Sequence, residues 1–248
     1  MIQLSQSRTY GMNDGLNKNK IRFMILPTRF CPAEYISDYN KAYICWKEVW
    51  SKTFTEEMNL TETLYSDNFT RQTHIAVIFY GDEVASLTTL NDLDLLAQTT
   101  WDDSYFKVWP EFTKFKLKKK AKRALACTNV TLAKKFRRGA LGLSWKDFMI
   151  SMLVKYLKHS SYDAMISVLR LEKGMDRCAY RTGASPLVRD IPYSIEGRRV
   201  DIAFWDKKIN EKNLDQKIQN LVNFIWNQAT LIISPKDPQF VKGERNAA

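Results

Sequence analysis

The chain has 248 residues, 45% of them hydrophobic, and a formal net charge of +11, which predicts a globular protein with a true core and an acidic partner or high solubility. No apolar run is long enough to cross a bilayer and no charged-then-apolar signal opens the chain, so a cytoplasmic protein is expected. Cys31, Cys45, Cys127 and Cys178 are widely separated, and the two histidines, His74 and His159, share no ligand spacing with them; zinc and a histidine-based triad are poorly supported, and no metal is expected.

Residues 1–19 are polar and contain Gly and Asn, which predicts a loose leader. Ile21 to Leu26 reads as a short strand ending at Pro27. Pro32 or Ala33 then opens a helix, with Ile36, Tyr39, Tyr43, Trp46 and Trp50 at spacings of three and four on one face. Such a stripe is more often core than ligand wall. Thr55 to Arg71 is polar, hence loop or short helix. Thr73 to Tyr80 and Val84 to Leu90 flank the turn signal Gly81-Asp82 and form a hairpin. Leu96 to Phe115 is rich in aromatics without a clean period, either a lid or an irregular packed segment.

Ala124 to Ala133 is the next strand. Trp145, Phe148, Met149, Met152, Leu153, Tyr156 and Leu157 mark a strong amphipathic helix, and Asp163 to Leu169 a buried strand. Glu172 to Arg181 can form a helix stopped at Thr182-Gly183. Ile191 to Ile195 and Arg199 to Trp205 make a last hairpin, and Leu214, Ile218, Leu221, Val222 and Ile225 define a C-terminal amphipathic helix. The central strand–helix–strand unit needs a right-handed crossover, so its two strands are expected to be parallel in a mixed sheet. The domain reading is a body over 20–208, a C-terminal helix over 209–234 packed on it, and a polar tail over 235–248.

The most informative segment lies between that strand and that helix: Lys134-Lys135-Phe136-Arg137-Arg138-Gly139-Ala140-Leu141-Gly142. A turn of this kind aims free N–H groups at one point, and the helix N-terminus adds positive potential there, which suits a phosphate. A second cation cluster runs from Lys114 to Arg123. Its ordinary reading is a solvated face. If the two clusters share one edge of the fold, they frame a single anion-binding mouth.

This order of elements, with a basic turn before the main helix, resembles the GNAT acyltransferase superfamily. In that family the turn is Arg/Gln-x-x-Gly-x-Gly/Ala and holds the pyrophosphate of coenzyme A. Arg137-Arg138-Gly139-Ala140-Leu141-Gly142 is similar, with Ala140 at the middle glycine. Tyr180-Arg181-Thr182-Gly183-Ala184 resembles the family's downstream Tyr-then-Gly-Phe segment, one residue shorter and with Ala184 for Phe. The Trp-rich helix, Asp67-Asn68-Phe69, Arg71 and the stretch from Gly183 to Trp205 resemble the branch that holds the N-acyl amino acid synthases and acyl-homoserine-lactone synthases.

The resemblance implies an α/β (α+β) fold: a mixed, mostly antiparallel central sheet with a parallel splayed strand pair, flanked by helices. It implies a fatty acyl group moved from the phosphopantetheine thioester of acyl carrier protein, or from acyl-CoA, to the amine of an amino acid. Arg137, Arg138, Gly139, Ala140, Leu141 and Gly142 then hold the donor phosphate. Strand amides at Val130 to Leu132 receive the pantetheine arm and the oxyanion. Tyr180 is the general acid, and Lys118, Lys119, Lys120, Lys122 and Arg123 steer the carrier. The strand lacks the family's usual carboxylate base, so water or Glu83, Asp92, Asp94 or Glu172 must take the proton; Cys127 on that strand is expected to be inert. Phe106, Trp109, Phe148, Met149 and Met152 are candidate walls of an acyl tunnel. The rival readings are an acetyl-CoA-dependent N-acetyltransferase and a non-catalytic basic module for an acidic protein or nucleic acid, the latter without a recognition helix or stacking motif in support.

Overall fold

A computed structural model describes residues 15–57, 63–193, 197–208 and 215–233. Runs of β-branched and aromatic residues supply the strands. β1 is Ile21–Pro27, β2 His74–Tyr80, β3 Glu83–Asp94, β4 Arg123–Leu132, β5 Ala164–Arg170, β6 Ser185–Pro192, β7 Arg199–Asp206 and β8 Thr230–Leu231. They form one sheet in the order β6-β7-β5-β4-β3-β2-β1-β8. The helices are α1 Ile36–Lys52, α2 Asp67–Thr70, α3 Gln98–Trp101, α4 Glu111–Lys120, α5 Trp145–His159, α6 Met175–Arg181 and α7 Gln216–Trp226.

Side chains alternate across a strand, so each strand divides its residues between two faces. In β7, Ala203 and Trp205 join a core under the main helix, while Ile202 and Phe204 join a second core on the opposite face. The first face carries α5, with Phe148, Met149, Met152 and Tyr156 fully buried, together with α6 and α7. α7 buries Leu221, Val222 and Ile225 and meets α5 through Lys155 Nζ donating to Asn223 Oδ1 at 3.0 Å. The other face is shared. α1 lays Ala42 and Trp46 over β1, β2 and β3, and the aromatic segment Trp101–Trp109 with Leu117 of α4 covers β4, β5 and β7.

The mixed sheet expected from the sequence is present: β4 and β5 are parallel, their other neighbours antiparallel. The strand–helix–strand unit and the Gly81-Asp82 hairpin fall where expected. Other segments differ. Leu96 to Phe115 holds α3 and the start of α4, because Pro110 fixes a helix-entry φ and Glu111 begins a regular turn. β6 starts at Ser185, ahead of the expected Ile191, since Ser185 and Pro186 already pair with Phe204 and Ala203. Ile195 and Glu196 of the expected hairpin, residues 58–62 of the polar segment, Leu214 of the C-terminal helix and the tail lie outside the described residues. Within the expected leader, Tyr80 Oη donates to the Gly15 carbonyl at 3.2 Å and accepts from the Asn17 amide at 3.3 Å.

Candidate functional site

β4 carries the site's geometry. Its pairing with β3 slips between Leu87/Thr131 and Thr89/Thr128, so Asn129 and Val130 together oppose Thr88. This is a β-bulge, and Asn129 takes a left-handed φ of 54° to make it. Hydroxyls pin the distortion. Thr88 Oγ1 and Thr89 Oγ1 donate to the Thr128 carbonyl at 2.7 and 3.1 Å, and Ser86 Oγ donates to the Thr131 carbonyl at 3.0 Å. Thr131 Oγ1 donates to the Asn129 carbonyl at 2.7 Å and accepts from Trp50 Nε1 at 2.9 Å. The sequence reading missed this network; its signal was the run of Ser and Thr on two facing strands.

On its other side β4 parts from β5. The parallel ladder covers only Ala124–Ala164, Leu125–Met165 and Ala126–Ile166. Ser167 Oγ bridges to the Cys127 carbonyl at 2.7 Å, and beyond it the two strands have no ladder. The Ala133 amide donates to the Ala85 carbonyl, toward β3. By strand alternation the amides of Leu132 and Val130 therefore point the other way, into the gap. The sequence singled out these two residues, and both are half-buried.

The basic turn closes the same end of β4. Phe136 anchors it, packing edge-on against Tyr80 and Trp145, and Trp145 Nε1 donates to the Ala140 carbonyl at 3.0 Å. Arg138, Gly139, Leu141 and Gly142 all have positive φ, from 59° to 75°, whereas Ala140 does not, so alanine costs nothing at the family's middle-glycine position. The strain sits instead at Arg138 and Leu141. The amides of Arg138, Gly139, Ala140 and Leu141 have no acceptor among the described residues. Successive unpaired amides in such a turn form an anion-binding concavity. α5 starts at Trp145, capped by Ser144, whose Oγ accepts from the Asp147 amide at 3.4 Å.

The cations do not act as one group. Arg137 and Arg138 are exposed at the turn, and Arg137 Nε is held on the Leu132 carbonyl at 3.1 Å. Lys135 is paired with Glu83 at 2.6 Å. Lys118, Lys119, Lys120, Lys122 and Arg123 gather at the opposite end of β4, ten residues or about 30 Å away along the strand. The single mouth that their closeness in sequence suggested does not form, because an extended strand separates its two ends.

The tunnel candidates are also divided. Phe106 and Trp109 lie on the α4 face of the sheet, and Phe148, Met149 and Met152 on the α5 face. The gap between β4 and β5 is where the two faces meet. Tyr105 Oη and Trp109 Nε1, both buried on the α4 face, have no hydrogen-bond partner among the described residues.

Tyr180 on α6 donates its hydroxyl proton to the Asp201 carboxylate, and the Arg189 guanidinium lies 5.0 Å from the centre of its ring. Asp201 is buried on β7 and also accepts the Asp190 amide at 2.7 Å. Burial first, then the bond to Asp201, push the tyrosine pKa well up. Both effects oppose giving that proton to a thiolate. Burial likewise pushes Cys127 up to about 11, against a smaller lowering by Thr88, whose Oγ1 is 3.3 Å from the sulfur. The thiol is protonated at neutral pH and is no nucleophile.

The candidate bases are each engaged. Glu83 holds Lys135, Asp92 accepts from Tyr162, and Asp94 accepts the Leu96 amide at 3.0 Å. For Glu172, burial raises the pKa, but the Arg170 and Arg198 guanidiniums, each 2.7 Å away, outweigh it and hold the carboxyl below its usual range. Among the described residues no group of three or more His, Cys, Asp or Glu side chains is arranged to hold a metal. No described helix is long and apolar enough to cross a membrane.

No family model matches the chain, and no protein of curated function matches it in sequence. Solved structures do match. The AHL synthase LasI superposes with a TM-score of 0.52 at 13% identity, covering 86% of this chain and 97% of that one. The CoA-dependent acyl-homoserine lactone synthase BjaI, in its structure with SAM and isopentyl-CoA, superposes at 0.54 and 10% identity, covering 86% and 93%. FeeM, an N-acyl amino acid synthase from uncultured soil microbes, superposes at 0.49 and 10% identity, covering 75% and 92%. The chain has a GNAT-like fold.

Proposed function

We propose that the protein is an N-acyltransferase that moves a fatty acyl group from a phosphopantetheine thioester to the amine of an amino acid or similar acceptor. One observation carries the reading: a bulged strand whose amides at Val130 and Leu132 face an open gap, with four unpaired turn amides at the same end. The turn suits the donor phosphate, the gap suits the extended arm, and a strand amide would serve the carbonyl oxygen as it becomes an oxyanion.

The neutral amine attacks the thioester carbon. The C–N bond forms, the oxyanion collapses, and the C–S bond breaks to release the thiolate. The ammonium proton leaves through the gap to water, since Glu83, Asp92, Asp94 and Glu172 each hold a partner, and the thiolate takes its proton from the same solvent. Tyr180, its hydroxyl spent on Asp201, fastens α6 to β7.

Acyl carrier protein is our preferred donor, because an acidic carrier suits a chain of net charge +11. Its phosphate at the turn puts the carrier body beside Arg137 and Arg138. A CoA thioester is the second reading, favoured by the likeness to BjaI, which is CoA-dependent.

Titration with free 4′-phosphopantetheine tests the cradle. The protein should bind it, and Arg137→Ala together with Arg138→Ala should weaken binding at least about tenfold, the loss of charge-assisted phosphate bonds. Equal binding by parent and variant would remove the turn from the account.

A further inference from the structure

The cations at the far end of β4 lie too far from the turn for a carrier whose phosphate sits there, so they need another explanation. α4 turns Thr113 and Leu117 inward and leaves a mixed aromatic and basic face outside. Phe112 is 52% exposed and Phe115 58%. Lys116 Nζ lies 5.2 Å from the centre of the Phe112 ring, and Lys119 Nζ 4.2 Å from that of Phe115. Lys118 lies over Trp101 at 4.3 Å, where α3 adjoins α4 along a shallow depression lined by Gln98, Trp101, Asp102, Glu111, Lys114 and Phe115. Leu96, just ahead of α3, is 74% exposed. The helix has five lysines and one acid, Glu111, which is paired with Lys114 at 2.7 Å.

We propose that this face docks the protein on an anionic lipid bilayer. Exposed aromatics interleaved with lysines on a helix lying flat at the surface match the interfacial pattern: rings enter the headgroup region while the ammonium groups meet lipid phosphates. A folded acidic partner would also complement the charge, and the carrier-protein arm of the test below separates it from the bilayer, whose headgroup region takes Phe112, Phe115 and Leu96 together with the lysines. The docking also fits the acyltransfer reading, since an N-acyl amphiphile partitions into a membrane. That link rests on the proposed function, whereas the docking does not.

The full chain should sediment with vesicles of phosphatidylcholine mixed with phosphatidylglycerol and stay free of vesicles of phosphatidylcholine alone. Phe112→Ser with Phe115→Ser should weaken binding about tenfold or more, and Lys116→Glu should weaken it about tenfold and leave it less sensitive to added salt than the parent's. All three side chains are outside the core, so thermal unfolding should match the parent. Transfer from a soluble short-chain thioester should be unchanged in both variants. Loss of that activity in the parent sinks the acyltransferase reading and leaves the docking result intact. Vesicle binding that ignores both substitutions, or no binding to the anionic vesicles, overturns the proposal. So does an acyl carrier protein that binds this face while the vesicles do not.

Discussion

The indole N–H of Trp50, near the end of α1, donates to Thr131 Oγ1 at 2.9 Å, and that hydroxyl donates onward to the Asn129 carbonyl at 2.7 Å. A helix on the α1 face is thereby tied to the one β4 residue that adopts a left-handed backbone. The tie fixes where the Val130 and Leu132 amides point. Trp50→Phe keeps an aromatic ring beside Phe54 and removes the donor. The account expects a loss of about 1 kcal/mol in urea unfolding. It expects kcat to fall about tenfold with little change in donor KM, because the misaimed amide acts on the oxyanion. A rise in KM alone would contradict the aiming role.

Arg138 is exposed with φ 59°, a conformation that costs a non-glycine residue about 1–2 kcal/mol. Arg138→Gly should relieve that strain and, after the larger chain entropy of glycine is subtracted, raise stability by up to about 1 kcal/mol. The same change should weaken 4′-phosphopantetheine binding. Calorimetry and titration on one sample check the opposite signs. A variant that is both less stable and unchanged in binding would refute the strain-for-function reading.

Tyr180→Phe separates a positioning residue from a general acid. Because the hydroxyl is bound to Asp201, its loss should destabilise the fold by about 1.5–3 kcal/mol, as for a hydrogen bond to a charged group, while kcat changes less than about threefold. A general acid would instead give a large kcat loss and erase a limb of the pH–rate profile. The stability term has a definite pH sign. The folded pKa is raised, so the contribution is complete below the tyrosine's ordinary value near 10 and is lost as pH climbs through the higher folded value.

Cys127 follows the same sign: its stabilising share is full below about pH 9 and declines as pH passes through about 11. At pH 8 the native protein should alkylate first at half-buried Cys31, slowly at Cys45, which burial pushes up to about 11, and spare the buried Cys127 and Cys178. Cys127→Ala should keep acyl transfer. Mass mapping of the label and a transfer assay check both halves, and a dead variant that still folds would reinstate a thiol mechanism.

With Glu83, Asp92, Asp94 and Glu172 each engaged, kcat/KM should rise with pH along the titration of the acceptor amine itself. Acceptors of different amine pKa should shift the curve in step. A limb between pH 5 and 7 that stays put when the acceptor changes would reveal an enzymic base.

Much of this fold was legible in the chain. The Gly81-Asp82 turn, the apolar runs of β4 and β5 and the face of α5 follow from local pattern, and the basic turn stood out by composition. What escaped was non-local. The bulge at Asn129 depends on hydroxyls from β3 and an indole from α1, none adjacent in sequence. The separation of the two basic clusters follows from the length of an extended strand, which their closeness in the sequence concealed. The partner of Tyr180 is 21 residues away on another element, and no spacing rule links the two.

The most direct measurement is the mass of the product. Long-chain acyl carrier protein, long-chain acyl-CoA and mixed amino acids are incubated with the enzyme, and the products are weighed. The account predicts a long-chain N-acyl amino acid, formed faster from the carrier thioester. Intact thioesters from both donors, or N-acetyl products alone when acetyl-CoA is added, would contradict it.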